Sequence, residues 1–220
     1  YIEQGQILID PSWGGFDFFP FLIEYFAIIF LLFNLENGLQ FLNVFITLNI
    51  AFCIFAIGNL LKLNTLQKLI SVILFILIKN IVWLSSTSHN ELLLCFFYIL
   101  ALLNLFKSQD NLDYLFFFSI SCLGMLYTKY LSLPLGITFV PLLIYFYFKN
   151  KKQININKII FYFSPIFLFL PFLLRNYVLI GDPLYPLFDL SSIKSFGYSD
   201  NLLAFLRSPL DIFFFGNIFF

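Results

Sequence analysis

The sequence predicts an all-α fold, a polytopic bundle of transmembrane helices with an additional juxtamembrane helix on its outer side. Of the 220 residues, 61% are hydrophobic and only 11% are charged, whereas about a quarter of the residues in a soluble domain are charged. Seven apolar runs also follow one another along the chain. With their flanking residues, most of them reach the roughly 17–25 residues that a helix needs to cross about 30 Å of hydrocarbon.

Turn-forming or charged segments separate these runs, for example Glu36-Asn37-Gly38 and Lys149-Asn150-Lys151-Lys152. The sequence lacks the alternating strands of about ten residues that are typical of a membrane barrel. Helices are therefore the elements predicted to satisfy the backbone within lipid. The runs occupy residues 18–35, 39–61, 69–84, 92–106, 112–127, 131–148 and 159–174.

Seven lysines outside the runs orient the predicted bundle, because these seven fall on one side of it. The positive-inside rule makes this side cytoplasmic. The opposite, outer side then receives residues 85–90, residues 128–130 and the segment from Arg175 onward. The lysines assigned to the cytoplasmic side are Lys62 and Lys68, then Lys107 two crossings later, and then Lys149, Lys151, Lys152 and Lys158.

The first run is predicted to lie on the outer surface instead of crossing. Residues 1–17 contain acidic residues, among them Asp10 and Asp17, but no Lys or Arg. Pro20 and Glu24 lie within the run, and a Glu that faces lipid is costly. Residues 1–38 are thus predicted to be an outer segment, with residues 18–35 as a juxtamembrane or re-entrant helix whose first turn contains Pro20.

Six crossings follow between residues 39 and 174, which completes a membrane domain of residues 1–174. Residues 175–220 are predicted to form an outer-face loop and the start of a further region. The chain starts at Tyr1 and stops within an apolar stretch, so we interpret it as an internal fragment of a multi-pass membrane protein.

The common soluble-enzyme motifs are absent from the sequence. There is no P-loop, GxSxG, HExxH or dinucleotide fingerprint, and one His cannot build a metal site alone. Three cysteines lie in apolar runs without CxxC spacing, so neither a disulfide framework nor a metal site is predicted. Twelve basic residues balance twelve acidic ones, and no nucleic-acid partner is predicted.

Three cations on the predicted outer side are candidate binding residues. Lys79 lies inside the run 69–84, Lys129 lies at an outer helix junction, and Arg175 closes the outer end of the last crossing. Ionisable residues at membrane depth are candidates for function. The structural alternative is that these long side chains extend to the interface and anchor helix ends.

A polar cluster at residues 85–91 is predicted to begin a crossing on the same side. Ser88 and Glu91 fit a capping box, with Ser88 as N-cap and Glu91 at the third helical position. A functional role, with Glu91 or His89 facing a cavity at the outer surface, is compatible with capping. Farther along, Gly181-Asp182-Pro183 marks a turn.

The order of these features resembles the GT-C superfamily of membrane glycosyltransferases, in particular its protein-mannosyltransferase-like and aminoarabinose-transferase-like branch. Pro20 to Glu24 resembles the Pro-x-x-x-Glu opening of the family's juxtamembrane helix, and Asn90-Glu91-Leu92 resembles its second acidic site. The stretch from Gly124 to Lys129-Tyr130 resembles a Gly-x-x-x-x-Lys-Tyr motif. Arg175-Asn176 with the segment Gly181-Asp182-Pro183-Leu184-Tyr185-Pro186 resembles an Arg-Asn … Gly-Asn-Pro-x-x-Pro segment, with Asp182 where Asn is usual.

The resemblance implies transfer of a hexosyl or pentosyl group from a polyprenyl-phosphate-linked sugar to a glycan, lipid or protein acceptor at the outer or lumenal face. It implies catalytic roles for Glu91 and for Asp10 or Asp17, although the family's principal Asp would precede Tyr1. Lys129, Arg175 and Lys79 would bind the lipid phosphate, and Glu24, His89, Tyr130 and Asn176 would line the substrate cavity. No cofactor is predicted, and a divalent metal is left open.

Two other classes of function remain open from the sequence. One is a polymerase, ligase or flippase for polyprenyl-linked saccharides, which would lack a general base. The other is a generic transporter, which would show an inverted repeat, and no internal duplication is visible. The predicted location is a membrane, with a bacterial inner membrane as the expected one.

Overall fold

A computed structural model of the chain describes residues 22–35, 37–87, 90–129, 132–150 and 156–183. These residues are helical, without a strand among them, which confirms the all-α class. One 3-10 segment, Ser164–Phe169, joins the last two α-helices. The α-helices are α1 (Leu22–Leu32), α2 (Gly38–Leu60), α3 (Thr65–Leu77), α4 (Lys79–Ser85), α5 (Glu91–Lys107), α6 (Tyr114–Thr128), α7 (Ser132–Ile137), α8 (Val140–Asn150), α9 (Ile156–Phe163) and α10 (Leu170–Ile180).

Two of the described helices are long and apolar enough to cross a membrane. One is α2, and the other is the continuous helical stretch Asn157–Val178, built from α9, the 3-10 segment and α10. The pair α3 and α4 is a third candidate if it forms one bent span. Membrane-spanning length and composition are therefore present in the structure, and the six crossings expected from the sequence remain a prediction.

The outward face of α2 is largely apolar, unlike the outward face of a helix in a soluble protein. Large apolar side chains project outward, with Phe41 74% and Phe52 73% exposed. Polar side chains lie inside, with Asn43 fully buried and Thr47 buried. A soluble monomer rarely exposes so large an apolar surface, and polar side chains in membrane bundles face the protein interior. This arrangement is compatible with a helix that has one face in lipid.

The chain divides into two compact units. Residues 20–170 form the larger unit, and residues 1–19 together with 171–220 form the other. In the larger unit, α5 packs against α6 and α2. One apolar cluster joins α5, α6 and α9 through residues such as Ala101, Phe118 and Tyr162. A second cluster joins α1, α2 and α5 through Ile23, Ile50 and Leu92.

The structure describes only residues 171–183 of the second unit, most of them in α10. This helix ends at Ile180, and Gly181 adopts a φ of 87° while its N–H bonds to the carbonyl of Tyr177. Glycine adopts this left-handed conformation at little cost, which makes it the usual residue after a helix C-terminus. The turn predicted at Gly181-Asp182-Pro183 is confirmed.

Two runs that were predicted as continuous crossings are interrupted. The run 69–84 breaks at Ile78, where ψ is 118° and the axes of α3 and α4 differ by 67°. The run 131–148 breaks at a turn between α7 and α8. In the second case Pro141, at the second position of α8, has no N–H with which to continue the α-helical ladder.

Candidate functional site at the ends of α5 and α6

Two of the candidate residues form an ion pair, although 38 residues separate them in the chain. The ammonium nitrogen of Lys129 lies 2.5 Å from Oε1 of Glu91. The pair forms because α5 and α6 run antiparallel after a short connection at residues 108–113, which brings the start of α5 beside the end of α6. A predicted acid and a predicted phosphate-binding cation therefore occupy one site.

Buried leucines fix the position of Glu91. Glu91 is the first residue of α5. Leu92 is fully buried and Leu93 is 5% exposed, and both belong to the apolar cluster that α5 shares with α1 and α2. This burial anchors the first turn of α5, so the Glu91 carboxylate is presented at the edge of a packed helix.

Close packing between α5 and α6 fixes the position of Lys129. Lys129 is the C-cap of α6, with an extended backbone and an N–H that bonds to Met125 O. One turn earlier, Gly124 faces the ring of Phe97 on α5, and a Cβ at Gly124 would come within 2.5 Å of that ring. Glycine at this position thus permits α5 and α6 to approach each other closely next to the ion pair.

A buried amide holds the segment that precedes Glu91. The side-chain nitrogen of Asn43, on α2, donates to the carbonyl of Thr87 at 2.5 Å and to that of Leu84 at 3.5 Å. These bonds tie α2 to the connection between α4 and α5. Asn43 therefore helps to position the segment that leads to Glu91.

The ion pair is accessible, with 30% of the Lys129 side chain and 43% of the Glu91 side chain exposed. Exposed ion pairs contribute about 0–1 kcal/mol to stability. Because the pair is only partly buried, its contribution to stability is small, and part of the Lys129 side chain is open to solvent.

The capping box predicted at Ser88 and Glu91 is wrong. The N-cap of α5 is Asn90, which makes no side-chain capping bond, and Glu91 is the first helical residue instead of the third. The Glu91 carboxylate bonds to Lys129 across the helix pair.

A capping box does occur at the start of α3, where Asn64 and Gln67 exchange side-chain bonds with each other's backbone N–H groups. As a result Lys68, predicted in a loop, lies in the first turn of α3, and its ammonium bonds to Asn59 Oδ1 at 2.7 Å.

Lys79 and Arg175 lie on other elements. Lys79 is the exposed first residue of α4, at the bend with α3, so its predicted position within a continuous crossing is wrong. Arg175 is half-buried in α10, with its guanidinium carbon 5.8 Å from the ring centroid of Phe172. Asn176 is fully buried in the same helix.

Several predicted site residues fall outside what the structure describes. Glu24 lies in α1, but its side chain is not described. Four other predicted site residues lie outside the described ranges: Asp10, Asp17, His89 and Tyr130. Pro20 also lies outside them.

Sequence reasoning missed Asn43 and Ser132. Ser132 is 2% exposed, its N–H bonds to Lys129 O at 3.0 Å, and its hydroxyl has no hydrogen-bond partner among the described residues. A polar residue inside an apolar run was the available signal for both, since Asn43 lies within the run 39–61 and Ser132 within the run 131–148.

Within the described part of the chain, no three His, Cys, Asp or Glu side chains are grouped so that they could hold a metal ion. Comparison of the chain with protein-family models, with curated proteins and with solved structures finds no match. The resemblance to the GT-C superfamily therefore stays a prediction from the sequence.

Proposed function

We propose that the chain is the membrane-embedded part of a glycosyltransferase that moves a hexosyl or pentosyl group from a polyprenyl-phosphate-linked donor to a glycan, lipid or protein acceptor. The observation that carries this proposal is the ion pair between Glu91 and Lys129 at the ends of two apolar helices. A lipid-linked donor places its phosphate at the membrane interface while its tail stays in hydrocarbon. A receptor for it needs a cation near the end of an apolar helix, and Lys129 is the C-cap of α6.

Glu91 supplies the second group that the reaction requires. A carboxylate beside the bound donor can act as general base for the acceptor hydroxyl. In the proposed step, the hydroxyl proton moves to Glu91 while the acceptor oxygen forms a bond to the anomeric carbon. The bond from that carbon to the phosphate oxygen breaks, and the polyprenyl phosphate leaves with the electron pair. Lys129 stabilises the charge that develops on this leaving group.

The observed pair also suggests an order of events. Oε1 of Glu91 is occupied by Lys129, and a carboxylate oxygen in that contact is poorly placed to accept a proton from an acceptor. When the donor phosphate binds Lys129, it competes with Glu91 and releases the carboxylate. The base then becomes available after the donor has bound.

The proposal includes the finer topology. Six crossings between residues 39 and 174 would make the protein multi-pass, with Glu91 and Lys129 on the outer side and Lys62, Lys107 and Lys158 on the cytoplasmic side. A bacterial inner membrane is the proposed location. Phosphate binding by Arg175 is a separate expectation from the sequence, since a guanidinium fork matches phosphate oxygens.

Sugar transfer and donor binding by the full-length protein in nanodiscs test this function. Lys129→Gln should weaken binding of the polyprenyl-phosphate donor by about tenfold or more, since a charge-assisted contact contributes roughly 1.5–3 kcal/mol. Glu91→Gln should abolish transfer but retain donor binding. Lys62→Gln serves as the control, because Lys62 is an exposed lysine in a different connection, between α2 and α3.

The outcomes separate the proposed function from its alternatives. Unchanged donor binding in Lys129→Gln contradicts the proposal. Loss of donor binding in Lys129→Gln, combined with full turnover in Glu91→Gln, favours a polymerase, ligase or flippase that needs no general base. Movement of a water-soluble solute without any sugar transfer favours a transporter.

A further inference from the structure

A polar cleft lies at the opposite ends of α5 and α6 from the ion pair. It has a volume of about 270 Å³ and is lined by residues 108–113, which connect the two helices, and by Lys158 and Tyr162 of α9. Among the described residues that line it, Leu112 is the one aliphatic side chain. Such a concentration of polar groups is unusual in a chain with 11% charged residues, and the function proposed above does not use it.

The charges in the cleft have both signs. Asp110 and Asp113 supply two carboxylates, Lys158 supplies one ammonium group, and all three side chains are exposed. Gln109 and Asn111 add amide groups that both donate and accept. The carboxylates oppose a purely anionic ligand, and Lys158 opposes a simple cation. A ligand that carries an ammonium group and an anionic group matches both sets of charges.

Hydrogen bonds hold the walls of the cleft in place. The hydroxyl of Tyr162, a residue only 6% exposed, donates to Asp113 Oδ1 at 3.2 Å. The hydroxyl of Ser119 on α6 donates to the carbonyl of Tyr162 at 2.6 Å, which fastens α9 to α6. Within the connection, the N–H of Asp113 donates to Asn111 Oδ1 at 2.9 Å. The cleft is therefore formed before a ligand arrives, which lowers the entropic cost of binding.

The position of the cleft indicates headgroup depth. It lies where two apolar helices end, and Lys107, the last residue of α5, has its ammonium 5.2 Å from the ring centroid of Tyr114, the first residue of α6. Aromatic and basic residues at helix ends are typical of the membrane interface. The volume is below that of most sites for drug-sized ligands, roughly 300–1,000 Å³, and suits a small headgroup.

We propose that this cleft binds a small zwitterion with a primary ammonium group and a phosphate, the chemistry of the phosphoethanolamine headgroup. Asp110 and Asp113 accept hydrogen bonds from the ammonium group, and Lys158 contacts the phosphate. A choline headgroup has no N–H to donate and is bound less well. The source of the zwitterion is either phosphatidylethanolamine of the surrounding membrane or free phosphoethanolamine.

Native mass spectrometry of the detergent-purified full-length protein tests the proposal. The protein is incubated with an equimolar mixture of phosphatidylethanolamine, phosphatidylcholine and phosphatidylglycerol, and separately with soluble phosphoethanolamine. Asp110→Asn and Lys158→Gln each remove one charge and leave the bond between Tyr162 and Asp113 intact. Each should lower retention of the ammonium-bearing ligand by about three- to tenfold, the range expected for partly exposed charged contacts. Lys62→Gln, outside the cleft, is the matched control and should retain it fully.

The two arms identify the source. Enrichment of phosphatidylethanolamine that both cleft variants reduce supports the proposal with a membrane lipid as ligand. Binding of phosphoethanolamine alone, reduced by the same variants, supports it with a free zwitterion. Equal retention of the three lipids with no binding of phosphoethanolamine overturns the proposal. The proposal is also overturned if Asp110→Asn and Lys158→Gln both retain the ligand as the wild type does while their thermal stability matches that of the wild type.

Discussion

The carboxylate of Glu91 and the ammonium group of Lys129 contact each other at 2.5 Å, at the ends of two antiparallel helices. Because both side chains are partly exposed, the contact is weak enough to be exchanged for a ligand. In the proposed function, Glu91 and the donor phosphate compete for one cation. This competition gives the two residues opposite effects on ligand binding.

Glu91→Gln should bind polyprenyl phosphate more tightly than the wild type, whereas Lys129→Gln should bind it less tightly. Removing the carboxylate frees Lys129 for the phosphate, and an exposed pair worth up to about 1 kcal/mol corresponds to a gain of up to about fivefold. Titration of each full-length variant with polyprenyl phosphate in nanodiscs measures both values. Weaker binding in Glu91→Gln would show that Glu91 supports the phosphate instead of competing with it.

Asn43→Leu should lower both the thermal stability and the affinity for the donor. The substitution removes the amide that holds the carbonyl of Thr87, and a buried acceptor left without its donor costs about 1–3 kcal/mol. The segment before Glu91 also loses its tie to α2. Thermal unfolding and donor titration check the two effects.

Asn49→Leu is the matched control for Asn43→Leu. Asn49 lies on the same helix, and its amide bonds to Phe45 O, one turn earlier in α2. The control substitution should leave donor affinity unchanged. Equal losses of donor affinity in the two variants would mean that the Asn43 substitution affects donor binding through α2 itself and not through the bond to Thr87.

The helical class of the fold could be predicted from the sequence, but the contact between the site residues could not. Apolar runs identified the helical class, because in lipid the backbone must bond within each segment. The break at Ile78 could not be predicted, since neither Pro nor Gly lies near it in the sequence. The break before Pro141 could have been predicted from the proline itself. The length of the apolar run instead favoured one continuous helix.

The site was predicted one residue at a time, and the contact between its members was not. Lys129 was selected as an ionisable residue at membrane depth, and Glu91 as part of a polar cluster that begins a predicted crossing. Neither argument says which charges meet. Their contact depends on the antiparallel packing of α5 and α6. The capping box predicted at Ser88 was wrong for a related reason. The sequence argument expected the Glu91 carboxylate to bond to the backbone at the start of the helix, whereas it bonds to Lys129 on α6.

Gly124→Ala should destabilise the packing of α5 on α6. A Cβ there would overlap the Phe97 ring, and overpacking of this kind costs typically about 1–3 kcal/mol. The double substitution Gly124→Ala with Phe97→Leu should recover part of the loss. Gly136→Ala is the control, because a Cβ at Gly136 meets no atom within 4 Å. Equal melting temperatures for Gly124→Ala and Gly136→Ala would contradict the close approach.

A nitroxide label at position 52 should contact lipid, and one at position 50 should contact protein. Phe52 is 73% exposed, whereas Ile50 is fully buried on the opposite face of α2. In nanodiscs, with the native cysteines replaced, the label of Phe52→Cys should collide readily with dissolved oxygen and little with a water-soluble nickel complex. The label of Ile50→Cys should be protected from both. Strong collision with nickel at position 52 would place this face of α2 in water.

The charge-exchanged protein Glu91→Lys with Lys129→Glu tests the central claim most directly, through the initial rate of sugar transfer by the full-length protein. The exchange keeps an ion pair between the two helix ends, so the melting temperature should stay close to that of the wild type. The account predicts that transfer still falls by at least about 100-fold, the lower range for a lost general base, because the base and the phosphate-binding cation have changed places. A transfer rate restored to the wild-type value would show that the pair serves only to join α5 to α6, and would contradict the proposed site.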